Sequence, residues 1–159
     1  MFWGVFYDVI KKLIFLSNRS WSTGVFSEQN KPILLDFTGW ACSNCRRVEE
    51  KVWSDPKIFK TINEQYILIS LYVDDREVLP KEQQFTFLKS NGKTKSIRTI
   101  GNKWATFQAI NFGVTAQPYY VLMSPDLTIL NREEDYKSAS KDSYLKWLEQ
   151  GKIRFINEK

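Results

Sequence analysis

Cys42 and Cys45 are the only cysteines of the 159-residue chain, and Ser43 and Asn44 separate them. An apolar run at residues 33–37, which predicts a buried strand, ends shortly before the pair. A charged run at 46–53, which predicts a helix, follows it directly. Two cysteines with this spacing at a strand-to-helix junction are typical of a redox site, so we expect the rest of the chain to present this pair.

The sequence contains no histidine, which limits the chemistry open to the pair. Ser–His and Cys–His nucleophiles both need an imidazole base. Two cysteines alone cannot complete the usual zinc or copper site, so we expect no metal and no bound cofactor beyond a redox-active disulfide. A structural disulfide is one alternative, although closing so short a loop stabilises a fold by only about 2 kcal/mol. Two inert thiols are the other.

The composition narrows the class of protein. An apolar fraction of 43% is enough for the core of one domain of 159 residues. The net charge of +5 comes from cations scattered among nearly as many acids, so we expect no nucleic-acid partner. The chain has no run of eighteen apolar residues, so we expect no transmembrane segment in it.

The first thirty residues differ in pattern from the rest. Helical spacing of apolar residues predicts an amphipathic helix at 1–16, and polar residues predict a connector at 17–30. The lysines in the middle of the first segment do not match a secretory signal. We therefore divide the chain into an N-terminal extension, residues 1–30, and a folded domain, residues 31–159.

After the cysteines, helices and strands are predicted to alternate. The expected elements are a helix from Cys42 to about Val52, a helix at 56–64, a buried strand at 66–73, an exposed excursion at 76–100 with a short hairpin over 85–97, a helix at 102–112, strands at 119–123 and 127–130, and a helix at 141–150 stopped by Gly151. Phe59 and Ile110 are among the expected core positions. This order predicts an α/β fold with a central mixed sheet flanked by helices.

The two cysteines are expected to differ in role. Cys42 would begin the helix, where unpaired amides and the helix dipole favour a thiolate. Cys45, one turn further, would be more buried. We therefore expect Cys42 to attack a disulfide of a partner and Cys45 to resolve the mixed disulfide.

Two acidic residues flank the pair. Asp36 lies inside the apolar strand, where a buried acid needs a function or a partner. It is predicted either to relay the proton of Cys45 or to be a paired structural acid. Glu49 shares a helix face with Cys45 and either tunes the site or is a solvated acid. Negative charge beside the pair disfavours a thiolate, which predicts a reducing pair.

Several separate motifs, in order, resemble one family. They are the segments 31–46, 52–56, 72–75, 100–104 and 116–122. Together they are similar to the C-terminal thioredoxin-like domain of DsbD-type thiol:disulfide interchange proteins, in particular the Bacteroidetes-like versions. The similarity spans about residues 31–150. It implies a thioredoxin-like fold with an insertion before the half that carries a cis-proline.

The resemblance also implies the site and the function. The implied catalytic residues are Cys42, Cys45, Asp36 and Glu49, and the implied substrate-binding residues are Trp40, Gln117, the cis-proline Pro118 and Tyr119. The implied activity is that of a periplasmic protein-disulfide reductase. It would take electrons from a membrane donor of the DsbD type and pass them to oxidised periplasmic thiol proteins, including those that serve cytochrome c maturation. A disulfide oxidase or isomerase, and a non-catalytic binding module, are the alternatives.

Overall fold

The computed structural model describes residues 30–88, 92–132 and 140–157. The expected helix at 1–16 and nearly all of the connector lie outside these residues. The described elements are, in chain order, β1 (Ile33–Thr38), α1 (Ser43–Val48), α2 (Pro56–Gln65), β2 (Ile67–Tyr72), β3 (Phe85–Leu88), β4 (Thr94–Ile97), α3 (Ile100–Phe112), β5 (Tyr119–Met123), β6 (Ile129–Arg132) and α4 (Lys141–Asn157). Within this part of the chain, no helix is long and apolar enough to cross a membrane.

The main sheet has four strands in the order β2-β1-β5-β6. β1 pairs in parallel with β2 and antiparallel with β5, and β5 pairs antiparallel with β6. The hairpin β3-β4 forms a separate two-stranded sheet within the predicted excursion. The predicted α/β fold with a mixed central sheet is therefore confirmed.

β1 is the centre of the core, because all six of its residues are buried. Its side chains alternate between the two faces of the sheet. Phe37 packs on one face with Phe107 and Phe112 of α3. Leu34 packs on the other face, in the cluster that α1, α2 and α4 complete. Asp36 follows Leu34 by two residues and so points toward the face that carries α1.

The helices begin where the sequence supplies caps. The Asp55 carboxylate accepts the Lys57 amide at 3.0 Å, and Pro56 occupies the first helical position of α2. The Thr99 hydroxyl accepts the Asn102 amide at 3.1 Å at the start of α3. α1 is followed by a π-helical turn at Glu49–Trp53, so the predicted single helix to Val52 changes its winding halfway.

Two predicted core positions are wrong, and one strand is less buried than predicted. Phe59 is 61% exposed and Ile110 is 45% exposed, because each lies beside the stripe that its helix buries. The strand predicted at 66–73 forms β2, which lies at the sheet edge and leaves Leu68 42% exposed. An edge strand has only one neighbour, so an apolar run does not guarantee burial.

The predicted stop of the last helix is also wrong. Gly151 lies inside α4, which continues to Asn157. The glycine is buried, and a Cβ at this position would collide with Cδ1 of Leu122 in β5. The missing side chain therefore lets α4 approach the sheet. The return strand, expected at 127–130, forms instead at Ile129–Arg132.

A second glycine fixes the contact between α3 and the loop that follows β2. A Cβ on Gly101 would lie 2.6 Å from the backbone N and O of Asp75 and 2.7 Å from the backbone O of Val73. The Gly101 amide itself donates to Asp75 O at 3.0 Å. Only a residue without a side chain allows this approach of helix to loop.

Gly101→Ala is expected to destabilise the fold by about 3 kcal/mol, because the added carbon overlaps backbone atoms that cannot rotate away. Gly113→Ala is the matched control on the same helix. Its φ of 69° costs alanine about 1 kcal/mol, but nothing lies within 4 Å of the added carbon. Urea unfolding of both variants gives the comparison. A Gly101→Ala protein as stable as the control contradicts this packing.

Candidate active site

The cysteine pair lies at the carboxyl end of β1, where the chain turns into α1. The Cys42 amide donates to Gly39 O at 3.2 Å, which closes the turn. Cys42 and Cys45 form a disulfide. Cys45 is fully buried, whereas Cys42 is half-buried, and the Cys45 amide donates to Cys42 Sγ at 3.2 Å. Of the two cysteines, Cys42 is thus the more exposed, and its predicted attacking role stays a prediction.

Asp36 is only 2% exposed, and its carboxylate accepts a hydrogen bond from a neutral side chain. Ser70 Oγ donates to Asp36 Oδ2 at 2.9 Å. Desolvation by burial raises the pKa of Asp36 from 3.8 to about 7, although the Ser70 hydrogen bond opposes the shift. This value also includes the charge of Glu49, which raises the pKa, and the charge of Arg46, which lowers it. A carboxyl group with a pKa near 7 can both accept and return a proton at neutral pH.

Glu49 acts on Asp36 through charge while paired with a cation of its own helix. Its Oε1 lies 2.8 Å from Nη2 of Arg46. The same Nη2 donates to Thr38 Oγ1 at 3.1 Å, which ties the pair to the end of β1. The charge of Glu49 thus acts on the buried carboxyl of Asp36, while its tuning of the cysteine pair stays a prediction.

Trp40 presents an exposed ring immediately before the pair. Its side chain is 66% exposed and stacks on the ring of Tyr72, with centroids 4.1 Å apart and planes inclined by 20°. Its amide donates to Asp74 Oδ1 at 2.8 Å, and the amide of Ala41 donates to Asp74 Oδ2 at 2.9 Å. Desolvation works against ionisation of Asp74, but these amides together lower the pKa of its carboxyl below the usual range.

The Gln117–Pro118 peptide bond is cis, as the resemblance implied. The register pairs Phe37 with Tyr119, so Pro118, one residue earlier, lies beside the end of β1 where the cysteine turn starts. The Tyr119 ring packs against Phe37, with centroids 6.1 Å apart. The ring of Tyr119, a predicted substrate-binding residue, is thus partly buried against the core.

A buried glutamine holds the loop before Pro118. Gln108 of α3 has no exposed surface, and its Nε2 donates to Ala116 O at 2.9 Å. Gln117 Nε2 donates to Gln108 Oε1 at 2.8 Å. The side chain of the predicted site residue Gln117 is therefore fixed by Gln108.

Four residues with a clear place at the site were not singled out from the sequence. They are Ser70, Tyr72, Asp74 and Gln108. Tyr72 and Asp74 lie in one of the motifs that carry the family resemblance, which is the signal that could have drawn attention to them. Ser70 pairs with Asp36 across the parallel strands, a register that the sequence does not state. The predicted catalytic roles themselves stay predictions.

Comparison with known proteins gives one family match. A family model described as a thioredoxin-like domain matches residues 21–152. Because this is most of the chain, the protein belongs to the thioredoxin-like domain family. The predicted relationship to thioredoxin-like proteins is therefore confirmed. No curated protein sequence matches the chain.

Solved structures agree on the fold. The DsbH oxidoreductase is 15% identical with a TM-score of 0.58, over 86% of this chain and 83% of that chain. A thioredoxin from Thermus thermophilus is 18% identical with a TM-score of 0.53, over 80% and 78%. The oxidised DsbD C-terminal domain of Neisseria meningitidis is 14% identical with a TM-score of 0.51, over 91% and 95%. At these identities the likeness shows the thioredoxin-like fold.

Asp36→Asn is expected to stabilise the oxidised protein at pH 8 and to leave its stability unchanged near pH 4. The folded-state pKa of about 7 lies above 3.8, so wild-type stability falls as pH rises between these values. Above pH 7 the free energy of unfolding of Asp36→Asn is expected to exceed that of the wild type by about 4 kcal/mol at most, the equivalent of three pKa units. Asparagine keeps an oxygen that can accept from Ser70. Urea unfolding across this pH range measures the effect.

Asp55→Asn provides a control of opposite sign. The Lys57 amide lowers the pKa of the Asp55 carboxyl, so this charge stabilises the fold above its unfolded pKa. Its removal is expected to reduce stability at pH 8. If the free energy of unfolding changes with pH in the same way for the wild type and for Asp36→Asn, the raised pKa of Asp36 is contradicted.

Proposed function

We propose that the protein is a thiol:disulfide oxidoreductase that works as a protein-disulfide reductase. The observation that carries this proposal is a disulfide between one fully buried and one half-buried cysteine, directly after the strand that holds a buried acid with a pKa of about 7. A structural bridge has no need of unequal sulfurs or of a proton acceptor. Dithiol–disulfide exchange needs both.

The reaction takes place in two exchanges. The Cys42 thiolate attacks one sulfur of a partner disulfide, which forms a mixed disulfide and releases the other partner sulfur as a thiolate that takes up a proton. The Cys45 thiolate then attacks Cys42 Sγ and releases the second partner thiol. The Cys42–Cys45 disulfide is re-formed, and two electrons have passed to the partner.

Asp36 serves as the proton acceptor for Cys45 in this scheme. It lies on the sheet face that α1 covers, and Cys45 is one of the buried residues of that helix. A base with a pKa near the working pH takes a proton and returns it with little cost in either direction. Ser70 and Glu49 tune this group, the first by hydrogen bonding and the second by charge.

The partner disulfide approaches over the ring of Trp40 and the loop at Pro118. Trp40 supplies an exposed apolar face, and Gln117 and Tyr119 supply backbone groups at the start of β5. An extended partner segment placed there would lie against the half-buried Cys42.

Electrostatics and the motif resemblance support the proposed direction of electron flow and the proposed partners. Carboxylates on both sides of the turn disfavour a thiolate, which supports a reducing pair. The similarity to DsbD-type domains supports a periplasmic location, a membrane electron donor of the DsbD type, and oxidised periplasmic thiol proteins as acceptors, including those of cytochrome c maturation.

Cys45→Ser is expected to accumulate a mixed disulfide through Cys42 when the reduced variant meets an oxidised peptide. The serine hydroxyl cannot resolve the intermediate, whereas Cys42→Ser is expected to give no adduct because its remaining thiol is buried. Intact-mass measurement of each variant after alkylation detects the adduct. A stable adduct through Cys45 in Cys42→Ser reverses the assignment of the two roles, and no exchange by the wild type refutes the proposed activity.

The reduction potential of the pair is expected to lie nearer that of thioredoxin, about −270 mV, than that of DsbA, about −120 mV. The physical reason is the negative charge that opposes a Cys42 thiolate. Equilibration of the wild-type protein with glutathione mixtures, followed by alkylation and mass measurement, gives the value. A potential in the range of DsbA favours an oxidase, and partner binding that survives replacement of both cysteines favours a binding module.

A further inference from the structure

Asp74 lies just beyond the end of β2, and both oxygens of its carboxylate bind the turn that precedes Cys42. Its two oxygens each accept one amide, from Trp40 at 2.8 Å and from Ala41 at 2.9 Å. Ala41 is bonded directly to Cys42, so the anchored atoms are a few bonds from the reactive sulfur. These are charge-assisted hydrogen bonds, which are stronger and more directional than neutral ones.

The turn is shaped to receive this carboxylate. A Cβ on Gly39 would lie 2.9 Å from Asp74 Oδ2 and 3.0 Å from its Cγ. The glycine is buried and its φ is not in the left-handed region, so space for the acid is what its missing side chain provides. Tyr72, two residues before Asp74, stacks under Trp40. The end of β2 thus holds both the backbone and the ring of Trp40.

We propose that Asp74 is a positioning residue of the redox site, which holds the turn before Cys42 and keeps the disulfide pair reducing through its charge. This inference rests on the proposed function and deepens it. Asp36 and Glu49 act from the α1 side of β1, whereas Asp74 acts from the loop after β2. The pair is therefore placed between acids on two sides. The Asp74 carboxylate binds the amides of Trp40 and Ala41, directly before Cys42, so its charge opposes a Cys42 thiolate and makes the reduced form a better electron donor.

The charge is tested with Asp74→Asn, which keeps one acceptor oxygen and removes the negative charge. The balanced reaction is oxidised protein plus two glutathione molecules giving reduced protein plus glutathione disulfide. We expect the equilibrium to shift about tenfold toward reduced protein, equivalent to about 30 mV for a two-electron couple. Faster alkylation of Cys42 by iodoacetamide at pH 7 is expected alongside.

Asp75→Asn is the matched control, because it removes the same charge from the next residue. The Asp75 carboxylate accepts the Glu77 amide at 2.8 Å, within its own loop. Its glutathione equilibrium is expected to stay within twofold of wild type. An Asp74→Asn equilibrium that matches this control overturns the proposal. Failure of the wild type to exchange with glutathione at all would instead contradict the proposed function.

The positioning role is tested by a double-mutant cycle with Gly39→Ala. In the wild-type background, the added methyl group displaces the Asp74 carboxylate, and we expect slower reduction of an oxidised peptide, with the loss mainly in KM because Trp40 is misplaced. In the Asp74→Ala background the methyl group meets empty space, so Gly39→Ala is expected to have no further effect. If Gly39→Ala slows the reduction equally in the wild-type and Asp74→Ala backgrounds, Gly39 and Asp74 act separately. That result would overturn the positioning role.

Discussion

The register of β1 between its two neighbours is the constraint on which the site depends. Parallel pairing with β2 sets Ser70 across from Asp36, and antiparallel pairing with β5 sets Tyr119 across from Phe37. The carboxyl ends of β1 and β2 and the amino end of β5 therefore lie next to one another at one end of the strands. The cysteine turn, the Asp74 loop and the cis-proline loop share this end because of backbone pairing alone. A shift by one residue would reverse the face of every β1 side chain and remove Asp36 from α1.

Two carboxyl groups near the turn show how environment decides the behaviour of one side-chain type. Asp36 is enclosed by apolar neighbours and receives one hydroxyl hydrogen bond, so desolvation dominates and raises its pKa to about 7. Asp74 is at the surface and receives two amide hydrogen bonds, which lower its pKa. The first group can exchange a proton near neutral pH, whereas the second keeps its charge. One is suited to chemistry, and the other to holding the backbone.

Local signals predicted the strand, the cysteine turn and the hairpin, because each depends on residues close in sequence. The cis-proline and the family came from motif order, which also carries long-range information. The errors arose where one signal has two physical causes. Gly151 after a helical pattern resembles a stop, yet here the glycine makes room for Leu122. The places of Ser70 and Asp74 could not be predicted from local pattern, because each depends on a contact between segments 34 residues apart. The place of Gln108 depends on how the loop before Pro118 folds back on α3.

The surroundings of Asp36 support the proposal that this acid exchanges a proton. A structural acid in a core is normally ionised and paired, since an unpaired buried charge is costly. Among the residues that the structure describes, the cation that acts on Asp36 is Arg46, and it is already paired with Glu49 at 2.8 Å. Ser70 offers a neutral hydroxyl, which is too weak to offset desolvation. The fold therefore tolerates a buried acid that is only partly ionised at neutral pH. The proposed transfer of the Cys45 proton would give this cost in stability a function, whereas a purely structural core offers none.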